Sequence, residues 1–283
     1  MRAVKAESSD GSRALASSAG AVQNENSAAT DRTEAAPVES LSDERCRYQL
    51  VIFDWDGTLM DSAPRIVAAM QAAARDLKWR VLGDAAIRDI IGLGLPEALA
   101  ALYPERSLSD RQSLQSRYGE LFRQADSRPT PFFLGVEAGI ERLRQTGGCR
   151  LAVATGKSRR GLDRAFAHVD CGRWFDHSRT ADMTRSKPHP QMLEELLAES
   201  GVAAADAVMI GDTEYDLEMA RVIGMDRVAV TYGVHARERL MASQPSLIAD
   251  TFPDVVDWLM AAERARSPQC AMTDTIAGPK APR

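Results

Sequence analysis

Hydrophobic positions along the chain fall into two alternating patterns. Short, continuous apolar runs occur at "YQLVIF" (48–53), "CRLAVA" (149–154), "DAVMI" (206–210) and "DRVAV" (226–230). They are rich in Val, Ile and Leu, as expected of strands covered on both faces. Between them lie stretches of helical periodicity, "GVEAGIERLRQTG", "RRGLDRAFAHV", "PQMLEELLAESG" and "YDLEMARVIG". Gly147, Gly201 and Gly224 close three of these where a C-terminal glycine belongs. Repeated strand–helix alternation implies right-handed crossovers, and so predicts an α/β domain on a parallel, doubly wound sheet.

One region breaks the alternation. From Pro64 to Phe133 the patterns "PRIVAAMQAAARDLKW", "DAAIRDIIG", "PEALAALY" and "SDRQSLQSRYGELFRQAD" are helical, with no convincing strand among them. Pro64 suits the first turn of a helix, and Pro129 and Pro131 mark the way back. This predicts an all-helical insert, 64–133, placed just after the first strand. The α/β domain then comprises 46–63 and 134–265. Residues 1–45 contain no aromatic residue and almost no large aliphatic one. Such a segment buries too little apolar area to offset its ordering entropy, so it is expected to be a disordered tail, as is 266–283.

Composition narrows the partners. The chain has 283 residues and a formal charge of −5, with basic residues scattered rather than blocked. That argues against nucleic acid or an anionic membrane as a partner. Cys46, Cys149, Cys171 and Cys270 form no CxxC pair. They read as ordinary thiols in a reducing compartment rather than a disulfide framework or a zinc site. No apolar stretch approaches the roughly 20 residues that span a bilayer. No apolar segment follows the initial Met-Arg, and Glu7 and Asp10 arrive early. A soluble, cytoplasmic protein is expected, as a monomer or homodimer.

Three of the apolar runs end in candidate chemistry. The first runs into Asp54-Trp55-Asp56, the second into Thr155-Gly156-Lys157, the third into Gly211-Asp212 with Asp216 four residues on. In a parallel sheet all these carboxyl ends lie along one edge, where ligands bind. Lys187, just before a helical stretch, is a fourth candidate. Several carboxylates at one place repel unless a cation or protons intervene. Oxygen ligands without His or Cys favour a hard ion, Mg²⁺ first. Thr155, Gly156, the helix that follows and Lys157 or Lys187 make an anion site beside it. Together these describe a pocket for a phosphate ester.

"DWDGTLMDS", "VATGKS", "SKPHP" and "IGDTEYD" resemble, in this order, the four motifs of the haloacid dehalogenase superfamily. The chain is most similar to the phosphoglycolate-phosphatase-like branch, which carries a helical cap after the first motif. The resemblance covers about 48–262 and implies a Rossmann-like core with an inserted cap. It implies that Asp54 is the nucleophile, forming an aspartyl-phosphate, and that Asp56 is the general acid and then the base. Thr155 would bind phosphoryl oxygens, and Lys187 would neutralise charge. Asp212 would hold Mg²⁺ with Asp54 and the backbone carbonyl of Asp56, supported by Asp216 directly or through water. An acid at position 56 favours phosphate over halide chemistry, since a halide leaves without a proton. The implied ligand is a small phosphorylated metabolite.

The segment "IGLGLPEAL" (91–99) is the expected substrate loop of the cap. Gly92 and Gly94 allow close approach there, and the loop has no Arg or Lys. Mutase-type relatives present a basic residue at this loop, so its absence disfavours a sugar phosphomutase, the same-fold alternative. A catalytically silent protein of this fold is a further alternative. His189 reads as a helix-start residue, and His168, His177 and His235 as surface or interface residues. Trp55 is expected to pack away from the ligand, and Trp79, Trp174 and Trp258 to anchor the core.

Overall fold

The computed structural model describes residues 45–124 and 130–261. The expected tails, apart from Arg45, lie outside the described residues, as do Pro129 and Cys270.

The first apolar run forms strand β1 (Leu50–Phe53), flanked by β2 (Arg150–Thr155) and β4 (Ala207–Gly211). Strands β3 (His177–Thr180), β5 (Asp226–Val230) and β6 (Leu247–Ala249) extend the sheet to the order β3-β2-β1-β4-β5-β6, parallel throughout. Successive side chains point to opposite faces of a strand. Val51, Phe53, Leu151, Val153, Val208 and Ile210 therefore share one apolar cluster with Val136, Ile140, Phe252 and Val255. The last four come from helices α5 (Val136–Gln145) and α10 (Phe252–Met260). Leu50, Ile52, Ala152, Ala154 and Met209 pack on the other face with Met192, Leu196 and Met219. Those three belong to α7 (Gln191–Ser200) and α8 (Glu214–Val222). Burial on both faces explains why these strands read as unbroken apolar runs. Each fully buried aliphatic side chain contributes about 1.5–3 kcal/mol.

The α/β prediction is borne out, and Gly147, Gly201 and Gly224 all have positive φ at helix ends. Helix α6 (Arg159–Val169) matches its predicted stretch. Four elements were not anticipated: β3, β6, α9 (Arg237–Met241) and α10. β3 reads "HSRT" and pairs only with β2 at the sheet's edge, so it carries no apolar run.

The stretch after Ser62 forms α1 (Ala63–Asp76), α2 (Asp84–Arg88), α3 (Leu95–Leu102) and α4 (Leu108–Gln124). Pro64 stands in the first turn of α1. These helices enclose their own cluster, with Ile66, Met70, Ile87, Leu99 and Leu114 buried. The chain leaves and re-enters the α/β part along two adjacent segments. Asp61 N–H donates to the Pro131 carbonyl (3.0 Å) and Phe133 N–H to the Leu59 carbonyl (3.0 Å).

Trp55 is buried among Phe132, Phe166 and Phe175, at centroid distances of 6.2, 5.2 and 6.2 Å. Trp79, Trp174 and Trp258 pack half-buried against the margins of their clusters rather than within them. Cys46 and Cys149, distant in sequence, are neighbours in the fold, and both are free thiols. Among the described residues, no helix is long and apolar enough to cross a membrane.

Candidate active site

The site forms where β1, β2 and β4 end. Asp54 follows β1 directly and is fully buried. Its Oδ1 accepts from the Trp55 N–H (2.6 Å) and pairs with Lys187 Nζ (2.8 Å). Its Oδ2 is buried without a hydrogen-bond partner among the described residues. Asp212 follows β4. Its Oδ1 accepts from the Thr58 hydroxyl (2.8 Å) and its Oδ2 from the Val234 N–H (2.9 Å). Asp216 belongs to the capping box that starts α8, where its Oδ2 accepts from the Thr213 hydroxyl (2.6 Å). Its Oδ1 accepts from Lys187 Nζ (2.6 Å). Gly57 is required beside this cluster. It has φ +88°, and a methyl there would overlap the Asp212 carboxylate.

Carboxylate oxygens of Asp54, Asp212 and Asp216 lie within 4.8 Å of one another. One ammonium cannot balance three buried carboxylates. Burial, then Asp216 and Asp212 against the pull of Lys187, holds the Asp54 carboxyl well above the ordinary range. Burial and Asp216 push Asp212 up to about 7, against its bonds from Thr58 and Val234. Burial works against the charge of Lys187, but Asp216 and Asp54 outweigh it and raise its pKa. An oxygen-only donor set of three clustered carboxylates, with one ammonium among them, fits a small hard cation.

The electrostatics predict a pH signature in cation-free protein. A carboxyl raised in the folded state means that the folded chain binds more protons than the unfolded one between pH ~4 and 7. This contribution to stability is therefore full below the unfolded pKa and is lost as pH rises through about 7. In EDTA the Tm should drop by several degrees between pH 5 and 8, and added Mg²⁺ should raise it more at pH 8 than at pH 5. Calorimetry at matched ionic strength measures both. A Tm that rises over that interval in EDTA would contradict this account.

Asp56 points elsewhere. Its Oδ1 accepts from the Ser62 hydroxyl and pairs with Lys157 Nζ (2.9 Å). The resemblance brings Asp56 to the metal through its backbone carbonyl, and its side chain lies outside the acidic trio. β1 ends at Phe53 and the chain bends at Trp55, so the two acids do not share a strand face. Thr155 is buried at the end of β2, and its hydroxyl accepts from the Lys157 N–H (3.3 Å). Lys187 is brought fully into the cluster.

The 91–99 segment reaches the site. A methyl at Gly156 would collide with the carbonyls of Gly92 and Leu93, and the Gly94 N–H donates to the Ser186 hydroxyl (2.7 Å). Its close approach is borne out. A second contact between the insert and the α/β part centres on Asp89. Its carbonyl accepts from the Tyr215 hydroxyl (2.9 Å), and its carboxylate pairs with Arg239. His235 is the expected interface residue. Its Nδ1 accepts from the Glu214 N–H (3.1 Å), which leaves Nε2–H to donate to the Asp89 carbonyl (3.3 Å). Burial, with Arg239 nearby, lowers its pKa and favours this neutral form. His189 Nδ1 accepts from the Gln191 N–H (3.2 Å) at the start of α7, as expected.

Sequence reasoning missed Ser62, Thr58 and Val234 as partners of the acids. The first two stand inside the quoted motif "DWDGTLMDS". Their short side chains, placed just after the acids, were the available signal. Val234 acts through its backbone and left none.

A parallel sheet with an acidic trio at its carboxyl edge, roofed by a helical insert after β1, defines an α/β enzyme class working at strand ends. The chain belongs to the haloacid dehalogenase-like hydrolases, whose family model matches residues 51–230. It is 37% identical over 211 residues to "Probable phosphatase IndB" of Dickeya dadantii (strain 3937), covering 73% of this chain and 91% of the relative. It is 29% identical over 209 residues to the phosphoglycolate phosphatase of Pectobacterium atrosepticum, covering 72% and 89%. A crystal structure of a predicted phosphoglycolate phosphatase from Haemophilus somnus 129pt is similar in fold. Its TM-score is 0.69 at 21% identity, over 75% of this chain and 98% of that one.

Proposed function

We propose that the chain is a Mg²⁺-dependent phosphomonoesterase acting on a small phosphorylated metabolite in the cytoplasm, with Asp54 as the covalent nucleophile. The observation that carries this is the Asp54 carboxylate, anchored through Oδ1 and with Oδ2 unpartnered, at the end of the central strand. Two similar curated proteins bear the names of phosphatases, which supports the activity class.

Asp54, Asp212 and Asp216, with the backbone carbonyl of Asp56, would hold Mg²⁺. When bound, the ion offsets the like charges of nucleophile and phosphate and fixes a phosphate oxygen. Asp54 Oδ2 attacks phosphorus, while Lys187 holds Oδ1 and so fixes the carboxylate plane. Thr155, the Gly156 backbone and the ammonium groups of Lys157 and Lys187 take the phosphoryl oxygens. Asp56 gives a proton to the leaving oxygen, then takes one from the water that cleaves the aspartyl-phosphate. Ser62 and Lys157 both engage its Oδ1, which leaves Oδ2 to carry that proton. The helical insert acts as a cap, residues 64–133, that excludes water from the first step.

The 91–99 loop has no Arg or Lys to meet a second phosphate, which disfavours the mutase alternative. Retention of Asp54, Asp56, Thr155, Lys187 and Asp212 together disfavours a silent protein. A phosphate-release screen across phosphorylated metabolites, with Mg²⁺ and with EDTA, tests the proposal. Release from at least one compound in Mg²⁺ and none in EDTA is expected. No release from any compound would overturn it.

A further inference from the structure

A cleft of about 820 Å³ opens between the helical insert and the α/β part, and Asp56 and Lys157 are among the residues that line it. That lies in the upper range of pockets that enclose whole organic ligands. A two-carbon phosphate ester would leave most of it filled with water.

Helix α6 forms one wall. Arg160 and Arg164, four residues apart, lie on one helix face and line the cleft, with the small residues Gly161 and Ala165 beside them. Arg159, on the neighbouring face, is already engaged by the Ser178 hydroxyl (2.6 Å) and Asp163 (2.6 Å). Arg160 and Arg164 have no hydrogen-bond or ion-pair partner among the described residues. Two cations at i and i+4 repel each other, a local cost that an anion between them reverses. Helix α4 contributes Gln112, Gln115, Glu120 and Arg123 to the lining, and Glu120 is already paired with Arg117 (2.8 Å).

We propose that the substrate is an elongated phosphomonoester whose far end is anionic, and that Arg160 and Arg164 hold that end. This rests on the phosphatase function proposed above and adds the shape and charge of the leaving group. The span follows from helix geometry. Arg164 lies five residues beyond Arg159, where α6 begins, roughly 7.5 Å along the helix axis, and the two extended residues from Lys157 add a step of up to roughly 7 Å. The substrate therefore places its second anion roughly 10 Å from the scissile phosphate. Guanidinium forks bind carboxylate or phosphate in a bidentate manner, and either meets the requirement.

The test uses synthetic alkyl phosphates of two lengths, short and roughly 10 Å long, each ending in a hydroxyl, a carboxylate or a second phosphate. Phosphate release and calorimetric binding are measured for each in Mg²⁺. The long anion-ended compounds should exceed the long hydroxyl-ended one by about ten- to a hundredfold in kcat/KM, and the short ones should show no such preference. The carboxylate and phosphate arms identify which anion is read. In the Arg160→Gln/Arg164→Gln double variant the anion-to-hydroxyl ratio should collapse towards one, through KM rather than kcat. Arg164→Lys should restore part of it. Hydrolysis with no tail preference, or a preference that survives the double variant, overturns the inference and leaves the phosphatase function standing. An arginine-dependent tail preference in binding without any hydrolysis does the reverse.

Discussion

Asp54→Asn should lower turnover on the order of 10⁶-fold, the scale of loss when a covalent nucleophile is removed from an otherwise intact site. The amide has the shape of the carboxylate but cannot form the aspartyl-phosphate. The same change should not weaken the cation-free fold. Asp54, Asp212 and Asp216 share one ammonium, and burial already disfavours the charge on Asp54. Lys187 keeps its 2.6 Å bond to Asp216 in the variant. Removing one negative charge therefore relieves repulsion, and the Tm in EDTA should equal or exceed that of the parent. The gain in Tm on adding Mg²⁺ should shrink. Steady-state phosphate release and calorimetry measure these effects. Activity within about 10²-fold of the parent would mean that water attacks phosphorus directly. A large fall in Tm would mean that Asp54 is needed to hold Lys187.

Asp56→Asn should cost about 10²–10⁴-fold, and the loss should persist at saturating Mg²⁺. The structure separates this role from metal binding. The Asp56 side chain faces Ser62 and Lys157, outside the trio of Asp54, Asp212 and Asp216. If its task is proton transfer, the loss depends on the leaving group. A nitrophenyl phosphate leaves with little protonation, so its first step should be nearly normal, while an alkyl phosphate's should be slow. The second step needs Asp56 as base for both. The variant given an activated ester should release one equivalent of nitrophenol per site and then stall. Full rescue by excess Mg²⁺, with equal losses for both leaving groups, would contradict the assignment.

The central sheet was legible because β1, β2 and β4 are covered on both faces, so their apolar runs have no polar interruption. β3 was not, since an edge strand with half-exposed His177, Ser178 and Arg179 need not be apolar. Asp54, Thr155, Asp212 and Lys187 were legible for a different reason. The first three stand at the ends of strands, which a parallel sheet gathers at one edge, while Lys187 lies in the loop between β3 and α7, within the stretch "SKPHP". The direction of a side chain beyond the strand end was not legible. Asp54 and Asp56 are two residues apart, yet one points into the trio and the other to Lys157, because β1 ends at Phe53 and the chain bends at Trp55. The contacts of Tyr215, His235 and Arg239 with Asp89 were equally hidden. They join residues more than 120 positions apart across separate clusters, and no local pattern encodes such a pairing.

The claim that Asp54 carries the phosphoryl group is tested most directly by trapping it. Asp56→Asn, mixed with a nitrophenyl phosphate and Mg²⁺ and quenched in acid during the stall, is digested and analysed by mass spectrometry. The account predicts that the peptide containing Asp54 gains the mass of one phosphoryl group, and that Asp54→Asn/Asp56→Asn treated alike gains none. Phosphate release from Asp56→Asn with no phosphorylated peptide at any time, or a phosphoryl group mapped to another residue, would contradict it.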